Sequence, residues 1–354
     1  MYTLLPDALL PWYRQNARDL PWRQDTEPYH VWLSEIMLQQ TRVEAVRTYY
    51  LRFLEQLPDI HALAEAPESR LFKLWEGLGY YNRARNLQKA AQLLETQYNG
   101  IFPNQYTDIL TLPGIGPYTA GAIASICFNR PCAAVDGNVL RIITRMTEND
   151  APIDLMQTKA GIAEQLEKIY PKNSCGQFTQ ALMELGATIC TPKSPKCTQC
   201  PANGFCRAYA DGTVLKYPVK QPKKEKRLEE RTVFLLQCED KYALTKRTES
   251  GLLAGLWQLP NTAGKMDVNE ALQTADSFGV QPAELYKQMH RIHIFTHIKW
   301  QMICYHILCT KMPADFVWAT AGEIRADYAL PTAFRMFFDA RHDDRQENRK
   351  NLES

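Results

Sequence analysis

The chain lacks any run of about 20 apolar residues, the length a helix needs to cross a bilayer. Its opening, MYTLLPDALLPWYRQN, lacks the basic-then-apolar order of a secretory signal. The expectation is an intracellular protein, cytoplasmic and of bacterial type, with no membrane partner. The sequence also lacks a charge excess: 41 Lys and Arg against 39 Asp and Glu leave a net charge of +2. A bulk positive field is thereby excluded as a means of holding a polyanion, so any such contact must come from placed donors. Ten cysteines are present, but in a reducing compartment they do not make a disulfide framework, and clustered ones point to metal first.

What is present describes a globular protein: 354 residues, 45% apolar and 23% charged. That length exceeds what one hydrophobic core supports, so two domains are expected. From Leu4 to about Ala210 the apolar residues recur at helical spacing, with Val43, Val46, Tyr50 and Leu54 as one stripe and Val139, Ile142, Ile143 and Met146 as another. Thr41-Arg42-Val43-Glu44 has the form of a capping box, which predicts a helix starting at Arg42.

Residues 211–230 are rich in charge and proline and read as an exposed linker whose lysines can reach phosphates. Beyond them the period changes. TVFLLQ, a Glu239-Asp240-Lys241 turn and YALTKR predict a hairpin, and IKWQMICYHILCT a long buried strand. Helices are expected near Ala319 to Arg325 and Thr332 to Ala340, and the tail from Arg341 is too polar to pack. Residues 1–210 thus read as a mainly α domain and residues 231–345 as a small α+β domain.

Cys190, Cys197, Cys200 and Cys206 stand as C-x6-C-x2-C-x5-C. Four thiolates in one short loop, kept from helix by Pro192, Pro195 and Pro201, can reach a single centre. Zinc competes, but zinc modules pair two C-x2-C knuckles and this loop has one, so a 4Fe-4S cluster is the expected cofactor. The other cysteines, at 127, 132, 175, 238, 304 and 309, lie in apolar text and read as core residues.

Upstream, Leu112-Pro113-Gly114-Ile115-Gly116-Pro117 separates two helical stretches. Gly114 and Gly116 permit a tight turn with bare backbone N–H groups, and Pro117 suits the first position of the next helix, whose N-terminus attracts a phosphate. Ala120, Gly121, Ala122 and Ala124 then allow close helix packing.

Two carboxylates have contrasting surroundings. Glu35 shares its helix face with Val31, Trp32 and Leu38, company in which a carboxyl keeps its proton and can act as a general acid. Asp136 lies where an amphipathic helix begins, a place that favours its anion. The blander readings are a solvated helical glutamate and a simple N-cap.

The cysteine spacing, the glycine hairpin, SEIMLQQTRV around Glu35 and VDGN around Asp136 together resemble the helix-hairpin-helix superfamily of endonuclease III, in its adenine glycosylase branch. The resemblance covers nearly the whole first half. It implies an N-glycosylase for base-excision repair whose partner is double-stranded DNA holding adenine opposite 8-oxoguanine or guanine, and which acts as a monomer. It implies that Glu35 protonates adenine N7, that Asp136 stabilises the oxocarbenium ion, and that Tyr118 and Asn138 position Asp136 and the sugar.

By the same resemblance Arg23 and Gln180 line the adenine pocket, Gln40 and Tyr80 wedge into the duplex, and Thr41 and Leu78 touch the orphan base. The cluster shapes a loop that offers Lys193, Lys196 and Arg207 to the backbone.

Bifunctional members of the superfamily carry a lysine where this chain has Tyr118, and a phenol cannot form their imine, so strong strand cleavage is not expected. The second half resembles a Nudix-like domain around GLLAGLWQLPN, without the R-E-x-x-E-E metal ligands, so its expected task is reading 8-oxoguanine. Phe295-Thr296-His297 is similar to the family's Phe-Ser-His element, with threonine for serine. His290, His293 and His297 read as alternation along a strand and loop rather than as a metal set.

Alternatives from other classes are a bifunctional glycosylase and lyase, a nucleotide pyrophosphatase working through the second half, and a non-catalytic iron–sulfur DNA-binding protein.

Overall fold

The computed structural model describes residues 2–222 and 225–338. The tail from Arg341, the end of the helix expected to reach Ala340 and the end of the second domain at 345 lie outside the described residues. The chain divides into two compact units, one of residues 1–66 and 82–223, the other of 67–81 and 224–354. No helix among the described residues is long and apolar enough to cross a membrane.

The first unit is helical: α1 (Leu5–Asn16), α2 (Pro28–Leu38), α3 (Val43–Gln56) and α4 (Ile60–Glu65) precede the excursion, whose helix is α5 (Glu68–Trp75). After it come α6 (Asn82–Tyr98), α7 (Tyr106–Leu110), α8 (Pro117–Phe128), α9 (Gly137–Thr147), α10 (Met156–Glu167), α11 (Cys175–Thr188) and α12 (Arg207–Ala210). The stripe Val139, Ile142, Ile143, Met146 is buried as expected, against Leu9 of α1 and Phe178, Leu182 and Leu185 of α11. On α3 the buried stripe is Val46, Tyr50 and Phe53, continued by Leu57.

The capping box is not formed. Arg42 is the N-cap of α3, without a side-chain cap, and the helix starts at Val43. A distant side chain decides this end: Arg83 on α6 donates to the carbonyls of Ile36, Met37 and Gln39 at 2.7, 3.0 and 2.7 Å and reaches Thr41 Oγ1 at 3.5 Å. Its guanidinium closes the end of α2, so the connection is set by a charge-assisted contact rather than by local capping.

In the second unit a seven-stranded mixed sheet runs β3-β2-β1-β6-β5, with β4 paired to β1 and β7 to β2. The strands are β1 (Arg227–Cys238), β2 (Lys241–Lys246), β3 (Trp257–Gln258), β4 (Asn261–Ala263), β5 (Pro282–Ile294), β6 (Ile298–Cys309) and β7 (Val317–Thr320). The expected hairpin forms with Cys238 opposite Lys241, and the expected long strand is β6, which pairs parallel to β1 over its length.

Both sheet faces are covered. Val233, Leu235, Trp300 and Cys304 face Ile324 and Phe334, while Phe234, Leu236, Tyr305 and Ile307 face Ala271 and Ala275 of α13 (Val268–Ser277). The helix expected from Ala319 begins later: Ala319 lies in β7, and Thr320, the last residue of that strand, caps α14 (Ala321–Asp327) through a capping box with Glu323. Thr332 opens α15 (Thr332–Arg335).

The excursion 67–81 is fastened within this second unit. Lys73 Nζ on α5 pairs with Glu76 at 2.7 Å and donates to the Tyr328 carbonyl at 3.1 Å, and the Leu330 N–H donates to Glu76 at 3.1 Å.

Candidate active site

α2 is apolar on almost every face, so it is buried along nearly its whole length and takes Glu35 with it, 5% exposed. Burial pushes the Glu35 pKa up to about 7. The phenol of Tyr118, in the first turn of α8, donates to Glu35 Oε2 at 2.5 Å and works against that rise, while the negative charge of Asp136 adds to it. Tyr118 is itself held well above its ordinary pKa by burial and by both carboxylates, so it stays a donor.

Asp136 is the N-cap of α9, as the local sequence predicts, and both of its oxygens are engaged. Oδ1 accepts the backbone N–H groups of Asn138 and Val139 at 2.9 and 2.8 Å, and Oδ2 accepts Asn138 Nδ2 at 2.7 Å. Burial raises its pKa above the usual carboxylate value, against these donors and Arg141, which pull it down. The helix N-terminus therefore favours the anion as expected, but burial is the larger influence.

A chain of hydrogen bonds leads from Asp136 toward the cysteine loop. Arg141, one turn along α9, donates to Asn138 Oδ1 and the Gly186 carbonyl at 2.8 Å each, and to the Cys190 carbonyl at 2.7 Å. Gly186 makes room for this, since a Cβ there would lie 2.5 Å from the Asn138 Cβ.

Glu35, Tyr118, Asp136 and Asn138 share one cleft of about 730 Å³ with Arg23, Gln180, Gln40 and Thr41. The expected catalytic and adenine-pocket residues are thus brought together. Tyr13 donates to Gln180 Oε1 at 2.5 Å, which orients the amide.

The sequence reading missed Glu184. It is fully buried on α11 and grips Arg18 at 2.6 Å and Arg23 at 2.8 Å. Burial alone would raise its pKa, but the two guanidiniums overcome that and hold it below the ordinary value. The same signal that marked Glu35, an acid amid apolar helical text, was available here in ALMELGA.

The turn before α8 has the expected form, with Gly116 as N-cap and Pro117 in the first turn. Of the two turn glycines Gly114 is the constrained one: its φ is +77° and a Cβ would meet Asn86 Cβ at 2.6 Å, while a Cβ at Gly116 would meet nothing. Gly121 is equally constrained by the Ala133 carbonyl, 2.4 Å from a Cβ position, which explains the small-residue text of α8.

The two residues expected to wedge, Gln40 and Tyr80, both adopt left-handed backbone, φ 58° and 50°. That conformation costs a non-glycine residue on the order of 1 kcal/mol. Tyr80 is 48% exposed, whereas Leu78 is buried. Both belong to the second unit, and so does the Phe295-Thr296-His297 loop, where Thr296 Oγ1 donates to Tyr80 Oη at 3.3 Å across 216 residues. Phe295 stacks edge-on against Trp300, with ring centroids 4.9 Å apart, while His290 and His297 are exposed and His293 is half-buried.

Cys190, Cys197, Cys200 and Cys206 line one apolar cavity with Ile142, Met146 and Leu185. Arg145 on α9 donates to Cys190 Sγ at 3.3 Å and to the carbonyls of Thr191 and Pro192 at 2.8 and 3.0 Å. Lys193, Lys196 and Arg207 are exposed around this loop. Of the other cysteines, Cys175, Cys238, Cys304 and Cys309 are buried, and Cys127 and Cys132 are half-buried.

Residues 33–172 match the HhH-GPD superfamily of base excision DNA repair proteins, and residues 232–340 match the NUDIX domain. The adenine DNA glycosylase of Mus musculus is 33% identical over 98% of this chain and 80% of its own length. The chain belongs to the adenine DNA glycosylase family. The Arabidopsis thaliana member is 36% identical over 82% of this chain, which spans only 55% of that longer protein. Among solved structures, a thermostable thymine-DNA glycosylase is 30% identical, with a TM-score of 0.54, over 59% of this chain and 97% of its own. Membership fixes the architecture as a helix-hairpin-helix glycosylase domain followed by a Nudix-like domain, and the enzyme class as an N-glycosylase of base-excision repair.

Proposed function

We propose that this member hydrolyses the N-glycosidic bond of adenine paired with 8-oxoguanine, or with guanine, in duplex DNA. The observation that carries the reading is the coupled pair of carboxylates: Glu35, buried and poised to hold its proton near neutrality, and Asp136, fixed on both oxygens, in the cleft that also holds Tyr118. Glu35 passes its proton to adenine N7. The electrons of the bond between C1′ and N9 leave with the base, and the charge developing on the sugar is met by the Asp136 carboxylate. Water then adds to C1′ and returns a proton to Glu35, leaving an abasic site.

In this reading Arg23 and Gln180 bind the base edge. Arg23 is held rigid by Glu184, and Gln180 is oriented by Tyr13. Flipping the base needs the gap filled, a task assigned to Gln40 and Tyr80, with Thr41 and Leu78 at the orphan base and the turn at Gly114 and Gly116 on a phosphate. The Phe295-Thr296-His297 loop reads 8-oxoguanine, a role supported by its contact with Tyr80.

The four cysteines fit a 4Fe-4S cluster. They line one apolar cavity. Four thiols with a single C-x2-C knuckle suit a cluster better than a zinc module, which pairs two. When bound, the cluster would tie the loop together and fix Lys193, Lys196 and Arg207 for the backbone; the proton and the charge are handled by Glu35 and Asp136.

The test is a labelled duplex with adenine opposite 8-oxoguanine, treated with hot alkali after incubation. Abasic sites at that adenine, and few in an A:T control, are expected. Their absence with pure, iron-loaded protein would overturn the reading.

A further inference from the structure

The segment before the second unit is not simply solvated. Between residues 213 and 221 it is fastened to the helical unit at several points. Thr213 Oγ1 donates to Glu148, Arg145 Nε donates to the Tyr217 carbonyl at 3.1 Å, the Ile153 N–H to the Val219 carbonyl at 3.0 Å, and the Gln221 N–H to Asp154 Oδ2 at 3.0 Å. The last two bonds flank Lys220, whose side chain lines the same cleft as Glu35 and Asp136. Lys159, in the first turn of α10, lines it too.

The charges of the cleft single these two lysines out. Its cations are Arg18, Arg23, Lys159 and Lys220, and its acids are Glu35, Asp136 and Asp154. Both arginines are committed to buried Glu184. Asp154, the acid nearest in sequence, accepts the Gln221 backbone. Among the described residues neither lysine forms an ion pair, and the first turn of α10 carries no acid, so its helix N-terminus adds to the positive potential. A nucleotide rotated out of the stack turns about its own backbone, so the phosphates on either side of its sugar come to the mouth of the cleft that takes its base. There they meet buried Glu35 and half-buried Asp136 and need cations to offset them.

We propose that Lys220, assisted by Lys159, is a phosphate-binding subsite for the target strand, beside the extruded nucleotide. The proposal rests on the glycosylase reading above. Lys220 touches substrate through its ammonium, and the backbone bonds of Val219 and Gln221 place it.

The experiment measures binding of the full-length, iron-loaded chain to the lesion duplex as salt is varied, in a Glu35→Gln background that blocks turnover. Lys220→Ala should weaken binding and lower the slope of log K against log salt by about 0.9, the loss of one phosphate contact. Lys220→Arg should restore the slope. A duplex series then replaces each phosphate flanking the adenosine, one at a time, by a neutral methylphosphonate. At one linkage the replacement should cost the lysine-bearing protein affinity and cost the Lys220→Ala protein nothing further. An unchanged salt slope in Lys220→Ala, or equal losses in both proteins at every linkage, would overturn the proposal, as would weakened binding with an unchanged slope, which signals a structural role. Failure of the glycosylase reading shows separately, as absence of adenine release by the wild type.

Discussion

Tyr118 donates a hydrogen bond of 2.5 Å to Glu35 Oε2, so the phenol in the first turn of α8 tunes the proposed acid. Glu35 works in its protonated form, and burial places its pKa at about 7. The single-turnover excision rate should therefore be on its plateau below about pH 7 and fall tenfold per unit above it. The phenol favours the anion, so Tyr118→Phe should let the pKa climb and move this alkaline limb to higher pH. A limb that stays in place or moves down would show that Tyr118 does not act on Glu35.

Glu35→Gln keeps the shape of the side chain but has no proton to give. Excision should drop by roughly 10² to 10⁴-fold, the usual weight of general acid catalysis, while affinity for the lesion duplex is retained. Near-normal single-turnover excision by this variant, measured by alkaline cleavage, would remove Glu35 from the role.

Tyr118→Lys places an amine beside the reactive sugar carbon. Wild type should give little covalent adduct with borohydride, and the variant appreciably more, together with strand nicking. Excision should slow, because an ammonium there competes for the charge of Asp136. Equal trapping by two proteins that both excise adenine would place Tyr118 away from the sugar.

Arg141 links the Cys190 carbonyl to Asn138, and Asn138 holds Asp136. Arg141→Ala leaves buried acceptors unpaired, at a cost of about 1–3 kcal/mol for the site, so the melting temperature should fall. Iron content and excision should fall together in this variant. Asn138→Ala should lose excision and keep its iron. An Arg141→Ala protein with full iron and full activity would show that the link carries nothing.

Cys200→Ala should abolish the brown absorbance near about 400 nm expected of an iron–sulfur centre. Stoichiometric zinc without iron in anaerobically prepared wild type would instead assign the cavity to a single ion.

What the sequence by itself determined is local. The cysteine spacing, the turn at Gly114, the N-cap at Asp136 and the apolar helix around Glu35 are each set within fewer than twenty residues, by backbone conformation, capping and helical periodicity, and each appears in the fold. Strands β1, β2 and β6 were legible for the same reason, since burial makes near-continuous apolar text, whereas the short β3, β4 and β7 were not.

The tertiary structure decided whatever depends on a partner far along the chain. Arg83 overrode the capping box at Thr41 from across the helical unit. Glu184 could be seen to hold Arg18 and Arg23 only once α11 was packed beside them. Tyr80 and Thr296 meet across 216 residues, and Lys220 belongs to the cleft only because Ile153 and Asp154 hold its flanks. Side-chain charge and backbone donors act over a few ångströms in space whatever their separation in sequence, and no period or spacing in the text records which of them will be neighbours.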